Sequence, residues 1–352
     1  MPSEQNFNFV IFGRHATSLY FVNKLREKGF PVPTVIISED DEYFRDQRLL
    51  EPFGLYGNLE PLAEKGWANL YKLKNINCNE ALKILEDNKC NIALSISCRD
   101  IIKSQIIDFF SGKIFNLHDS YLPNERGGAL NSWRILNGID SMGCTIHQLD
   151  EGIDTGDIVL RKETKITKLY PKPIDYLFAE VENGKWLIDD FIELILDSDF
   201  IPSQAQENDK SLYFPRLFTE KNGIIDWDWD IDYIERFIRA FSCPYPGAYS
   251  YYRDKIIRFL DVTIDESMQK SFHPYVNGKI VTLMNNGSVR VIAGGRPLIV
   301  NTVEVDGKEE TPAKVLEVKH SLISPHGELL AARTYVASTK VMNIDETKNL
   351  KI

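Results

Sequence analysis

The chain has 352 residues, of which 43% are hydrophobic and 26% charged, and its formal net charge is −10 at pH 7. Because single domains usually have roughly 100 to 200 residues, this length and composition indicate an ordinary globular protein with two lobes. The negative charge argues against a large nucleic-acid surface, which needs clustered Lys and Arg. A polar N-terminus and the lack of an apolar run of roughly 18 residues predict a cytoplasmic protein that does not span a membrane.

The cysteines give no sign of a disulfide framework or a zinc site. They are odd in number, scattered and without C-x-x-C spacing (Cys78, Cys90, Cys98, Cys144 and Cys243). Reduced thiols are therefore expected, and no metal is predicted.

Apolar runs alternate with amphipathic stretches along the first 120 residues. Strands are predicted at 8–13, 35–37, 92–97 and 113–118, and helices from the first strand through Lys28, from Asn77 to Asp87 with Asn77 or Asn79 as the cap, and at about 101–110. This order is typical of an α/β fold, a Rossmann-like parallel sheet with helices on both faces, whose ligands bind beyond the carboxyl ends of the strands. The loop Phe12 to Ser18 has one Gly where a dinucleotide fold has three, so neither NAD nor FAD is expected.

The pattern changes in the second half of the chain. Strands at 142–149 and 157–163 precede a long helix from about Ile174 to Leu196 that Asn183-Gly184 interrupts, then a polar linker from Pro202 to Lys210 and a helix from Ile231 to Phe241. Beyond Pro244, the turn dipeptides Asn277-Gly278, Asn286-Gly287, Gly294-Gly295 and Asp306-Gly307 separate alternating β-rich runs, which predicts a small antiparallel β domain or barrel. Met342 to Ile352 carry no clear signal. The predicted domains are 1–203, 204–243 as a connecting segment, and 244–352.

Three polar residues end predicted strands or follow them directly. Alternation along the strand at 113–118 puts Asn116 and His118 on one face, about 6.6 Å apart, and Pro123 fixes a turn beside them. Asp154 follows His118 by 36 positions. Each residue alone is weak evidence, but an amide, an imidazole and a carboxylate in this order are the groups needed to move an acyl group onto an amine.

These motifs resemble the N10-formyltetrahydrofolate-dependent formyltransferases. The resemblance is carried by Asn116-x-His118-x-Ser120-x-Leu122-Pro123, Arg126-Gly127-Gly128, Gly143-Cys144-Thr145-Ile146-His147 and Gly152-Ile153-Asp154-Thr155-Gly156-Asp157, and it covers most of residues 5–200. The segment from Pro215 to Trp227 and the β-rich tail also resemble the methionyl-tRNA and sugar formyltransferases.

The resemblance implies the roles of several residues. Asn116, His118 and Asp154 would be the catalytic trio, and N10-formyltetrahydrofolate would be the formyl donor. The family's pterin pocket is lined mostly by main chain from two loops, which correspond here to Asp100, Ile101 and Ile102 and to Asp150 and Glu151. Asp119 departs from the pattern, because it adds a second acid beside His118 where many relatives have a small residue or Pro.

The resemblance leaves the acceptor amine open. A glycinamide ribonucleotide enzyme would be a single lobe of about 200 residues, and a methionyl-tRNA enzyme would need a basic face. A nucleotide-linked amino-dideoxy sugar, a precursor of lipopolysaccharide or another surface polysaccharide, fits better, because the loops at 125–129, 213–216 and 244–248 look like those of the sugar enzymes. The predicted substrate-binding residues are Arg14, Arg126, Gly127, Tyr213, Arg216 and Tyr245.

Three other interpretations stay open. A methionyl-tRNA formyltransferase could carry a local basic patch, and a formyltetrahydrofolate hydrolase would use water in place of the amine with the same trio. A non-catalytic binding module would be expected to lack the trio. The predicted partners are small molecules and a second copy of the chain in a homodimer.

Overall fold

The computed structural model describes residues 7–39, 41–197, 201–268 and 270–337. Met342 to Ile352 therefore lie outside the described residues. Strands of the first lobe are β1 (Phe9–Phe12), β2 (Thr34–Ser38), β3 (Asn69–Leu73), β4 (Ile92–Ile96), β5 (Ile114–His118), β6 (Arg126–Gly127), β7 (Ser141–Gln148) and β8 (Ile158–Lys165). Its helices are α1 (Ala16–Glu27), α2 (Asp41–Leu50), α3 (Glu60–Glu64), α4 (Asn79–Asp87), α5 (Ser104–Phe109), α6 (Leu130–Asn137) and α7 (Pro173–Asp197).

Seven of these strands form one sheet in the order β3-β2-β1-β4-β5-β7-β8. The first five are parallel, as predicted, but β7 and β8 run antiparallel to their neighbours. The connection between β7 and β8, residues 149–157, is too short for the crossover that parallel strands need. Apolar clusters cover both faces, with α1 and α7 on one side and α4 and α5 on the other, which confirms the layered α/β prediction.

Two predictions about helix boundaries were wrong. The cap of α4 is Cys78, which makes no side-chain capping bond, because the amide of Asn77 is engaged with the loop before α5. Helix α7 runs through Asn183-Gly184 without a break. Gly184 allows a close approach rather than a break, since a Cβ there would lie 2.9 Å from Cγ2 of Thr17 and 3.3 Å from Cδ2 of Leu117.

The second lobe contains an antiparallel sheet in the order β12-β13-β14-β11-β10-β16, with β15 paired to β14. Strands are β9 (Tyr213–Phe214), which pairs with β6 instead, β10 (Ala248–Tyr252), β11 (Lys255–Ile264), β12 (Ile280–Leu283), β13 (Val289–Ala293), β14 (Arg296–Val305), β15 (Lys308–Glu310) and β16 (Leu322–Ile323). Helices are α8 (Thr219–Asn222), α9 (Ile231–Ala240) and α10 (His326–Thr334). Gly294-Gly295 and Asp306-Gly307 make the two-residue turns on either side of β14, as predicted.

The two lobes share one apolar core. Helix α9 packs on β11, and the same cluster includes Ile135, Met142 and Tyr176 of the first lobe. Two hydrogen bonds fix this region, from the Ser132 hydroxyl to the carbonyl of Ala240 (2.8 Å) and from the Tyr176 hydroxyl to the carbonyl of Ile139 (2.8 Å). The first bond ties α6 to the end of α9, and the second ties α7 to the loop that follows α6.

Among the helices of the described ranges, none combines the length and apolar content needed to cross a membrane. The five cysteines are all free thiols.

Gly143 on β7 has the main chain of Tyr121 against it, and a Cβ there would lie 2.4 Å from the Tyr121 nitrogen. We expect Gly143→Ala to lower the free energy of unfolding by about 1–3 kcal/mol, because the loop after β5 must move away. Urea denaturation would measure this. The control is Gly327→Ala in α10, where nothing lies within 4 Å of the added methyl group. A Gly143→Ala variant as stable as the wild type would contradict the predicted clash.

Candidate active site

The site lies at the carboxyl end of β5, in the middle of the first sheet. Asn116 and His118 are both half-buried, whereas Leu117 between them is buried, so the two polar side chains share a face as predicted. The neighbouring strand β7 places His147 opposite Asn116 and Thr145 opposite His118. The strand register therefore delivers a second imidazole to the site.

His147 orients the amide of Asn116. Its Nδ1 donates to the carbonyl of Gln148 (2.7 Å), which leaves Nε2 as an acceptor for the Nδ2 of Asn116 (3.2 Å). The imidazole is fully buried, and burial lowers the pKa of His147, so the ring is neutral at pH 7. One hydrogen of the Asn116 amide is thus committed, and the other is available to a ligand.

His118 lies between two oxygen acceptors. Its Nε2 is 3.0 Å from the carbonyl of Glu125, which can only accept, so the Nε2 proton is donated there. The Nδ1 is 3.6 Å from Oδ1 of Asp154. This distance is longer than a hydrogen bond.

Asp154 completes the predicted trio from the loop between β7 and β8. Its Oδ2 accepts from the main-chain nitrogen of Gly127 (2.9 Å), and its Oδ1 is 3.7 Å from Nε2 of His147 as well as 3.6 Å from His118. Asp154 has a φ of 56°, in the left-handed region that residues other than Gly rarely adopt. The fold thus brings Asn116, His118 and Asp154 together around one space.

Two cavities meet at His118. The first, of about 270 Å³, is lined by Arg14, Arg45, Arg99, Asn131, Glu180 and Tyr245 among others. The second, of about 240 Å³, is lined by Asn116, Asp154 and the loops 100–102 and 149–154. Both share His118, Asp119, Gly127, Gly128 and Arg216. A group bound in either cavity can therefore reach His118, and a group bound in the second cavity can reach all three residues of the trio.

The second cavity contains most of the residues that the resemblance predicted for the cofactor. Asp100, Ile101, Ile102 and Asp150 line it, whereas Glu151 is exposed beyond its edge. The loop before α5 is held by Asn77, which donates to the carbonyl of Ile101 (2.9 Å) and accepts from the main-chain nitrogen of Lys103 (2.8 Å). Its backbone is thus fixed as a wall of the cavity.

The first cavity is rich in guanidinium groups. Arg14 donates to the hydroxyl of Tyr56 (3.1 Å) and to Glu60 (2.6 Å), and Arg45 lies over the ring of Phe218 (5.0 Å). Arg216 lines both cavities. Four arginines around about 270 Å³ make this the more cationic cavity, which suits an anionic ligand (Arg14, Arg45, Arg99 and Arg216).

Other polar side chains also line the first cavity. Asn131 donates to Glu180 (2.7 Å), and burial, together with the charge of Asp119, raises the pKa of Glu180 well above its ordinary value. Burial raises the pKa of Tyr245 to about 12, which keeps its hydroxyl protonated. The side chains of Glu180 and Tyr245 can both hydrogen-bond a ligand in this cavity.

The remaining predicted substrate residues have different surroundings. Gly127 lines both cavities and Tyr213 lines the second. Arg126 is 1% exposed, and its guanidinium donates hydrogen bonds to the side chains of Gln206 and Asn208. Asp119 lines both cavities, with its Oδ1 3.9 Å from the Sγ of Cys144.

Sequence reasoning missed several of these side chains. His147 belongs to a quoted motif, and its position on the strand next to β5 was the signal that could have assigned it. Arg45, Arg99 and Glu180 come from three separate elements, and nothing in their local sequence marks them. In the ranges that the structure describes, no group of three or more His, Cys, Asp or Glu is arranged to hold a metal ion.

The buried neutral state of His147 predicts a pH effect on stability. Because its pKa in the folded state is below the ordinary 6.5, the unfolded chain binds a proton there that the folded chain does not. The free energy of unfolding should therefore fall as the pH drops below about 6.5, by up to about 1.4 kcal/mol per pH unit from this residue.

Urea unfolding of the wild type and of His147→Gln, at about pH 7.5 and about pH 5, would measure this contribution. The stability gap between them should shrink at the lower pH. The control is His326→Gln, at an exposed position in α10. The difference in stability between this variant and the wild type should be the same at both pH values. Parallel curves for the wild type and His147→Gln would contradict a neutral His147.

Comparison with known proteins identifies the family. A formyl transferase family model matches residues 8–177, and a model of the formyl transferase C-terminal domain matches residues 218–319. The methionyl-tRNA formyltransferase of Citrifermentans bemidjiense is 26% identical over 294 residues, which cover 82% of this chain and 86% of the relative.

Two solved structures have the same fold. One is the N-formyltransferase from Helicobacter canadensis in complex with folinic acid and dTDP-3-aminofucose (TM-score 0.60, 20% identity, covering 84% of this chain and 98% of the other). The other is WlaRD, a sugar 3N-formyl transferase, in the presence of dTDP and 5-N-formyl-THF (TM-score 0.59, 19% identity, 86% and 99%). With both of its lobes matched by formyl transferase models, the chain belongs to the formyltransferase family and is a formyl-transferring enzyme.

Proposed function

We propose that this enzyme transfers a formyl group from N10-formyltetrahydrofolate to the amine of a nucleotide-linked amino-dideoxy sugar. The observation that carries the proposal is the position of His118, Asn116 and Asp154 where an arginine-lined cavity meets a second cavity that is lined by the loops 100–102 and 149–154. Such sugars are precursors of surface polysaccharides.

In this proposal the donor occupies the second cavity. Its walls are the fixed loop at 100–102 and the loop that leads into Asp154, and main-chain groups of such loops would suit the amide-like edge of a pterin ring. The solved structures named above contain formylated folates, which supports the same choice of donor. The folate supplies the activated formyl group, and the protein supplies its placement.

The acceptor then occupies the first cavity. Arg14, Arg45, Arg99 and Arg216 suit a diphosphate, because guanidinium groups form charge-assisted hydrogen bonds with phosphate oxygens. The side chain of Glu180 and the hydroxyl of Tyr245 also line this cavity and can hydrogen-bond a sugar or base. The amine of a sugar held in this way would face His118, which lines both cavities.

The chemistry follows from the geometry of the trio. The amine nitrogen attacks the formyl carbon, and the free hydrogen of the Asn116 amide stabilises the oxyanion that forms. The Nδ1 of His118 takes the proton that the amine loses, while the carboxylate of Asp154, 3.6 Å away, stabilises the resulting imidazolium. The bond from the formyl carbon to N10 of the folate then breaks, and N10 leaves with the proton that His118 took from the amine, which returns His118 to its neutral form.

A methionyl-tRNA formyltransferase is the second candidate. Curated relatives of the chain are mostly enzymes of that kind. Against it stands the charge of the second lobe, where residues 218–319 carry 13 Lys and Arg but 15 Asp and Glu. Binding to tRNA depends on an excess of positive charge, so we favour the sugar. The predicted homodimer and cytoplasmic location remain predictions.

Asn116→Ala should lower kcat by about 100-fold, equivalent to about 3 kcal/mol of transition-state stabilisation, because it removes an oxyanion donor. KM for both substrates should change little, since the amide acts on charge that develops only in the reaction. Steady-state release of tetrahydrofolate would measure both constants. Asn137→Ala, at an exposed position in α6, is the matched control. Near wild-type turnover of Asn116→Ala would remove Asn116 from the mechanism.

The acceptor is tested by incubating the enzyme with N10-formyltetrahydrofolate and a panel of nucleotide-linked 3-amino and 4-amino dideoxy sugars. We expect one class of sugar to gain a formyl group in the mass spectrum, at a rate that falls with added salt as the phosphate contacts are screened. Formylation of charged initiator tRNA without reaction of any sugar would favour the second candidate. Release of tetrahydrofolate at the same rate without an amine would indicate a hydrolase.

A further inference from the structure

The polar segment from Gln204 to Phe214 crosses the loop that carries Asp154. At one end the main chains of Gln204 and Ile158 exchange two hydrogen bonds of 2.8 Å. At the other end β9 pairs with β6. The sequence predicts a linker over Pro202 to Lys210, but the structure fixes this segment to the first lobe at both ends. We call residues 204–214 the strap.

One side chain of the strap bonds the Asp154 loop twice. The Nε2 of Gln206 donates to the carbonyl of Asp154 (2.9 Å) and to the carbonyl of Gly156 (2.7 Å). Both of its amide hydrogens are therefore used, one on the carbonyl of Asp154 itself and one on the carbonyl two residues later. A residue with a positive φ persists only when its surroundings hold it.

The other end of the same amide is held by Arg126. The Oε1 of Gln206 accepts from Nε (3.2 Å) and Nη2 (2.8 Å) of the guanidinium, which also donates to Asn208 (2.9 Å). A guanidinium only donates and a carbonyl only accepts, so these partners fix which end of the Gln206 amide is oxygen. The amide has no freedom to flip.

Strand β6 also holds the Asp154 carboxylate. The nitrogen of Gly127, next to Arg126 on β6, donates to Oδ2 of Asp154 (2.9 Å). The main chain of β6 thus holds the carboxylate, while the side chain of Arg126 holds, through Gln206, the carbonyl of the same residue. Oδ1 is left facing His118 and His147.

We propose that Gln206, supported by Arg126, is a positioning residue that keeps the strained turn at Asp154 in place and so aims its carboxylate at His118. This inference rests on the proposed role of Asp154 in formyl transfer. Gln206 lines neither cavity described above and is not expected to touch a substrate. It acts through Asp154 alone.

Two variants and one control test the proposal. Gln206→Ala removes the bridge, and Gln206→Glu keeps the shape but places an oxygen against two carbonyl oxygens. The control, Gln204→Ala, changes an exposed glutamine on the same strap whose bonds to Ile158 come from the main chain. Hydrogen exchange of the unliganded protein and steady-state kinetics are measured for all three.

We expect amide exchange in residues 152–157 to be at least about 10-fold faster in both Gln206 variants, with the rest of the protein protected as in the wild type. We expect kcat to fall by about 10- to 100-fold, with KM for donor and acceptor changed by less than about 2-fold, because misplacement of a reacting group lowers the rate without weakening substrate binding. Gln204→Ala should match the wild type in both measurements.

Unchanged exchange in the Gln206 variants would overturn the proposal, as would faster exchange with kcat equal to that of Gln204→Ala, or a loss found entirely in KM. If the wild type formylates none of the acceptors offered, the proposed function fails on its own. The exchange comparison then still decides whether Gln206 holds the Asp154 turn, since it needs neither substrate.

Discussion

The arrangement of the site depends on one constraint, the left-handed turn that carries Asp154. A backbone conformation that costs on the order of 1–3 kcal/mol must be held by the structure around it, and here hydrogen bonds reach that residue at its carboxylate and at its carbonyl. One carboxylate oxygen is thereby satisfied by the main chain. The other faces two imidazoles, those of His118 and His147.

The antiparallel strand β7 has a similar importance. Its register puts His147 opposite Asn116 and its glycine under the loop that follows His118. Burial keeps the His147 ring neutral, and a neutral ring with one proton already donated can only accept from Asn116. The orientation of the Asn116 amide therefore depends on β7. A parallel strand in this place would have had a different register against β5.

The acceptor is where the two kinds of comparison point in different directions. The curated relatives are mostly methionyl-tRNA formyltransferases, whereas the two solved structures named above are a sugar 3N-formyl transferase and an N-formyltransferase in complex with an amino sugar nucleotide. At these levels of identity the likeness shows fold and family and does not decide the acceptor. The proposal therefore rests on the local chemistry of the first cavity, which is lined by four guanidinium groups together with the polar side chains of Asn131, Glu180 and Tyr245.

The sequence by itself determined the family, the alternation of strands and helices, and the common face of Asn116 and His118, because these follow from local periodicity and contiguous motifs. It could not supply the direction of β7 and β8, the unbroken course of α7 through Gly184, or the side chains that Arg45, Arg99 and Glu180 bring to the first cavity. It also gave no role to Gln206, which lies in a polar segment without periodicity. These features depend on contacts between residues far apart in the chain, and only the tertiary structure decides which of them meet.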